Sequence, residues 1–244
     1  MSSFAHLTKI EIRLLFRDPL AVVLSLILPT AILLGLGSVP LLRERNDELG
    51  GIRFIDYYAP SVLVMSVAVM GLAIMPGVIA TYRERGMLRR MRTTPIPPGA
   101  LLGAQLLVGL GTALIAALLV VVAGRLVIGV PLPQHPVGFA VAFVLGIAAV
   151  FSLGLVVAAL APNARVAQTF STILFMSVMF FGGVYVPLSM LPDSIARIAN
   201  YIPPGVGVLL DAWTGTAPPV LPLVIMGAVT LGLGLVSARV FKWE

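Results

Sequence analysis

Residues 100–124 read ALLGAQLLVGLGTALIAALLVVVAG, with no ionisable side chain among them. A helix needs about 20 mostly apolar residues to cross a bilayer, and this stretch exceeds that length. Five more stretches share its character, over 20–42, 57–82, 137–161, 166–187 and 218–238, and none holds Asp, Glu, His, Lys or Arg. Lipid gives the backbone no hydrogen-bond partner, so helices are the natural spanning form. The sequence therefore predicts an all-α membrane protein with six transmembrane helices. The chain is 59% hydrophobic and 11% charged, whereas a soluble domain carries about 25% charged residues. The longest segment outside the spans, 188–217, leaves no room for a second domain. A single transmembrane domain over 1–244 is expected.

The uncharged spans also bear on function. A transporter driven by an ion gradient usually places Asp, Glu, Lys or His within its spans. Here the energy is expected to come from a partner. The chain has no cysteine and only His6 and His135 as histidines, so neither a thiolate nor a His-based metal centre is expected. Its two lysines, Lys9 and Lys242, follow no glycine-rich loop, which excludes a P-loop. No H-E-x-x-H or G-x-S-x-G occurs, so membrane proteases and esterases lack their residues.

Of the 16 Lys and Arg residues, eleven fall on one side of the predicted spans and five on the other. The larger set comprises Lys9, Arg13, Arg17, Arg83, Arg85, Arg89, Arg90, Arg92, Arg165, Arg239 and Lys242. The positive-inside rule places this side, and with it both termini, in the cytoplasm. Membrane topology thus accounts for the net charge of +6 without nucleic acid. No cleavable signal peptide is expected, because the first apolar run is too long for an h-region and Pro29 interrupts it.

Three segments outside the spans, and one span, carry further signals. Residues 3–17 predict an amphipathic interfacial helix, with Phe4, Leu7, Ile10 and Leu14 on one stripe and Lys9, Glu11, Arg13 and Arg17 elsewhere. Asp18-Pro19 then starts the first span. This helix reads as an anchor, alone or with a partner contact. Between the second and third spans run Tyr82, Arg83, Glu84, Arg85, Gly86, Met87, Leu88, Arg89, Arg90, Met91, Arg92, Thr93, Thr94 and Pro95. As a helix this segment puts Arg85, Arg89 and Arg92 on one face and Met87, Leu88 and Met91 on another, with a proline stop after it. The two faces suit docking into a groove of another protein; the arginines alone would also serve topology or anionic lipid. Gln168, Thr169, Ser171, Thr172 and Ser177 make the fifth span the most polar, for hydrogen bonding between helices or for lining a path. Residues 188–213 hold two short, proline-bounded apolar pieces that read as re-entrant or interfacial helices on the outer side.

The whole chain resembles the membrane subunit of ABC-2 type exporters, in the branch of bacterial drug and antibiotic-resistance permeases similar to daunorubicin exporters. The resemblance rests on Arg17-Asp18-Pro19, on Pro29, and on residues 83–95, which look like the family's inner-loop E-R-G-x-L-x-x-x-x-x-T-P signature. It rests also on Val186-Pro187, Leu191-Pro192 and Tyr201-Ile202-Pro203 before the last span.

It implies a permease of the bacterial plasma (inner) membrane that is not itself an enzyme. A second copy of the chain, or a related permease, would pair with it. A separate ABC ATPase subunit would bind the ATP and Mg, and this chain would bind no cofactor. Arg83 through Arg92 would then form the ATPase-coupling helix, Lys9, Arg13, Arg17, Asp18 and Pro19 the interfacial connecting element, and 188–213 the re-entrant cap. Gln168, Thr169 and Thr172 are the expected substrate path, and a cargo with an anionic head would be drawn to Lys9, Arg13 and Arg17. The expected cargo is a small amphipathic drug, antibiotic or lipid-like molecule. The alternatives are a polysaccharide or lipid-linked oligomer exporter of the same family, or a non-transporting immunity or accessory protein.

Overall fold

The computed structural model describes residues 3–49, 51–88 and 99–241. Helix α1 (Ser3–Arg17) precedes five helices long and apolar enough to cross a membrane: α2 (Pro19–Gly37), α3 (Phe54–Glu84), α4 (Gly99–Ile128), α5 (Pro136–Leu160) and α6 (Ala164–Phe181). Two short helices follow, α7 (Asp193–Ala199) and α8 (Val206–Thr214), neither long enough to span. The sixth apolar helix is α9 (Val220–Val240). The expected all-α membrane architecture is therefore present.

The helices depart from the apolar windows at their ends. α3 runs outward to include Asp56 at its start and Arg83 and Glu84 at its end, and Arg125, Arg165 and Arg239 likewise sit in terminal turns. Helical hydrogen bonding continues past the apolar core, and charges in the last turn can reach headgroups or partners. α2 instead stops at Gly37, where Ser38 turns its hydroxyl back onto the Gly35 carbonyl at 2.6 Å. α6 stops at Phe181 because Gly183 takes a left-handed φ of +67°.

The loop after α2 holds a small antiparallel ribbon, β1 (Arg45–Asn46) with β2 (Ile52–Arg53). Arg53 fixes its end: Nε donates to Asp56 at 2.7 Å, and Nη2 donates to the Gly129 carbonyl at 2.9 Å.

Pro29 and Pro76 each follow a π-helical turn, Val23–Ile27 in α2 and Val69–Ile74 in α3. Proline lacks an N–H, and its ring crowds the carbonyl four residues back. The wider turn relieves that crowding while Leu28 and Met75 donate to Val23 and Met70.

α3 is the hub of the bundle. Its apolar window is 78% buried, against 17% for α9, which packs on α5 at the periphery. Small residues let the inner helices meet closely. Gly71 of α3 faces Val150 and Phe151 of α5, and a Cβ on Gly154 would strike the Gly71 carbonyl oxygen. One end of the bundle gathers α1, the end of α3, the 161–164 turn and the end of α9; contacts among Glu11, Tyr82, Glu84, Ala164, Arg83 and Phe241 join them.

Candidate functional site

At that end α1 lies across α4. Phe4 covers Gly103, where an added Cβ would meet its ring at 3.1 Å. Asp18 ends α1 and caps α2, its Oδ1 accepting from the Ala21 N–H at 3.1 Å, with Pro19 in the first helical turn. Along α1, Leu7 and Leu15 are half-buried on either side of the buried Glu11, at a spacing of four. Ile10 and Leu14, on the expected apolar stripe, are 39% and 43% exposed, and Leu14 also lines the cavity described below. Glu11, expected at the surface, is only 5% exposed.

Glu11 sits in a small polar network. The Tyr82 hydroxyl of α3 lies 3.1 and 3.0 Å from its two carboxylate oxygens, and Nε2 of Gln105 in α4 donates to Oε2. Gln105 is itself buried. Loss of hydration holds the Glu11 carboxyl above the ordinary carboxylate range, and the Tyr82 hydrogen bond works against that rise.

These groups face a cavity of about 690 Å³ between α1 and the ends of α2, α3, α4 and α6. Its floor is Glu11, Met70 and Gln105; Leu20 and Gln168 are exposed at its rim. The rest of the lining is mainly aliphatic. Apolar walls with a few converging polar groups are the usual form of a small-molecule site.

A second cluster fixes the end of α3. Arg83 donates from Nη1 to the Ala161 carbonyl at 2.8 Å, with its guanidinium 5.0 Å above the Phe241 ring. Glu84 accepts from the Ala164 N–H at 2.8 Å, beside Asn163, whose Oδ1 caps the Val166 N–H at 2.8 Å. Arg83 and Glu84 thus bind the α5–α6 turn to the end of α3. Gly86 then takes φ +65°, which reverses the chain where other residues would be strained. Arg85 and Met87 are exposed, whereas Leu88 is 1% exposed and packs into the core of this chain. Arg89, Arg90, Met91 and Arg92 lie outside the described residues.

Lys9, Arg13 and Arg17 are exposed on α1, and none lines the cavity. Gln168, Thr169 and Thr172 come together with Arg165 and Ile173 in a shallow groove on α6, and Gln168 also reaches the cavity rim. The hydroxyls of Thr169 and Thr172 donate to their own helix, to the carbonyls of Arg165 and Gln168 at 3.1 and 2.8 Å. Within this chain, then, neither hydroxyl donates to a neighbouring helix. The i−4 carbonyl is the nearest acceptor for such a side chain in an apolar setting.

Glu11, Tyr82 and Gln105 were not singled out from the sequence. A signal was present: Leu7, Glu11 and Leu15 recur at helical spacing, which puts a carboxylate in the middle of a buried stripe. Among the described residues no three His, Cys, Asp or Glu side chains converge on a metal position.

A family model described as ABC-2 type transporter matches residues 2–207 of the chain. A comparison with curated proteins finds no match.

Proposed function

The chain belongs to the ABC-2 type transporter family as a membrane-embedded permease component, and on that premise we propose that it exports a small amphipathic drug, antibiotic or lipid-like molecule. The observation that carries this reading is the cavity beneath α1. It is largely aliphatic, holds a few polar groups, and lies at the bundle end richer in arginine. Cargo dissolved in the bilayer would reach it sideways from the adjoining leaflet.

A separate ATPase subunit docks at this end and supplies the energy; ATP and Mg are bound there, not by this chain. The exposed Arg85 and Met87, beyond a helix end held by Arg83 and Glu84, suit transmission of its movement. A second copy of the chain completes the transporter. The polar groove of Gln168, Thr169 and Thr172 on α6, a span only 22% buried, supports that pairing. The excess of Lys and Arg at this end supports a cytoplasmic orientation, with the chain in the plasma membrane of a bacterial cell.

The test is reconstitution with the ATPase in vesicles. Amphiphile efflux is expected to require ATP and to continue when an uncoupler collapses the proton gradient, since no ionisable residue lies in mid-span to relay protons. Efflux that stops with the uncoupler while ATP persists would overturn the reading. No stimulation of ATP hydrolysis and no efflux would favour a non-transporting accessory protein.

A further inference from the structure

Resting on the exporter reading above, we propose that the cavity beneath α1 binds an amphiphile carrying a protonated amine, with the ammonium group against Glu11 and the chain along the apolar walls of α2 and α3. Glu11 is 95% removed from solvent, and its two hydrogen-bond partners, the Tyr82 hydroxyl and the Gln105 carboxamide, are neutral. The ion pair of Arg53 with Asp56 lies at the opposite end of α3. Glu11 therefore has no described counter-charge, and a buried carboxylate is costly until a cation joins it.

The rest of the lining points the same way. Among the described residues its other titratable groups are Asp18 and Tyr82, and no Lys, Arg or His lines the space. The basic residues of the same helix, Lys9, Arg13 and Arg17, stand exposed outside it. An anionic head drawn to that surface meets no cation inside. An ammonium group meets a carboxylate whose oxygens offer about four lone-pair positions, not all of them taken up by Tyr82 and Gln105.

Geometry also accommodates the apolar part. Leu14, Leu24, Met70, Ile74 and Val78 supply aliphatic lining. The volume of about 690 Å³ falls within the range of small-ligand pockets. Leu20, 65% exposed, and Gln168 mark the side through which a chain would pass from lipid.

The experiment uses the full permease in phosphatidylcholine nanodiscs, which add no net lipid charge. Three diazirine-bearing probes of equal chain length are compared: a dodecylamine, a dodecanol and a dodecyl sulfate. Labelling is normalised to that of the lipid and mapped by mass spectrometry. The amine is expected to label α1, α2 and α3 at least tenfold more than the alcohol, and the sulfate least. Glu11→Gln should reduce amine labelling to the level of the alcohol, with folding of the variant checked by its size-exclusion profile. Glu11→Asp should retain a preference for the amine.

Equal labelling by amine and alcohol would overturn the proposal, as would labelling confined to other helices. A loss of all three probes alike in Glu11→Gln would assign Glu11 a purely structural part. The assay contains no ATP, so its failure leaves ATP-driven efflux, the test of the exporter reading, to be judged separately.

Discussion

Replacing Gly154 with alanine should loosen the centre of the bundle. Gly154 of α5 lies where a Cβ would collide with the carbonyl oxygen of Gly71 and meet the Met75 methyl at 3.0 Å. A flexible side chain could swing away from such a contact. A backbone oxygen within the π-helical turn of α3 cannot, so α3 and α5 must separate. Overpacking of this kind costs about 1–3 kcal/mol, and widening a packed seam forfeits dispersion along its length. The natural control is Gly111→Ala in α4, where an added Cβ meets nothing within 4 Å. Both substitutions exchange glycine for alanine inside a helix, so the propensity gain of about 0.5–1 kcal/mol is common to both. The difference between them isolates the collision. Thermal unfolding of the two purified variants in one detergent is expected to place Gly154→Ala below the parent and Gly111→Ala at or above it. Equal midpoints for the two variants would refute the account of the α3–α5 seam.

Met87→Glu should leave thermal stability within about 0.5 kcal/mol of the parent, as for an exposed site, yet abolish stimulation of the partner's ATP hydrolysis. Leu88→Ala, in the core, should instead lower stability by about 2–5 kcal/mol; the reverse pattern in melting and ATPase assays would exchange their roles. Glu84→Ala removes an acceptor from the start of α6 and should cost about 0.5–2 kcal/mol, as for a lost helix cap, while Glu84→Gln keeps most of it; equal melting of the two would contradict the contact with Ala164. Glu11 holds its proton more tightly when folded than when unfolded, because burial raises its pKa. That contribution is full below the unfolded carboxylate range and is lost as pH rises through the folded value. The stability of the parent relative to Glu11→Gln should therefore fall across that window, and a flat difference would rule out the burial effect. Asp18, Tyr82 and the uncharged Gln105 share this environment, and the Arg85 charge reaches Tyr82 from the end of α3.

The six spans were legible because a bilayer imposes one requirement, length without charge, on every helix that crosses it. Residues 100–124 show this directly. The ends were less legible. Hydropathy marks where the apolar core stops, whereas helices stop where a glycine turns, as at Gly183, or run on to a charged anchor, as at Arg83 and Glu84. The inner loop could be read as amphipathic, but not that Leu88 belongs to the core of its own chain while Met87 remains outside. That difference depends on the reversal at Gly86, which side-chain periodicity does not encode.

Glu11 shows most clearly why the site was harder to read than the fold. On an isolated interfacial helix, Lys9, Glu11, Arg13 and Arg17 are equivalent polar residues, each best placed in water. Burial of Glu11 becomes tolerable only when Tyr82 from α3 and Gln105 from α4 arrive with hydrogen-bond donors, 71 and 94 residues along the chain. A donor at such separation leaves no local pattern, and glutamine and tyrosine in spans are otherwise read as packing or belt residues. The cavity follows from the same assembly. Holding α1 by its one acid, at the level of Tyr82 and Gln105, leaves space between Leu14 and Leu24 on one side and Ile74 and Val78 on the other. The group that docks the N-terminal helix is thus also the group that gives the cavity its polarity, so a substitution at Glu11 must be read for both effects together.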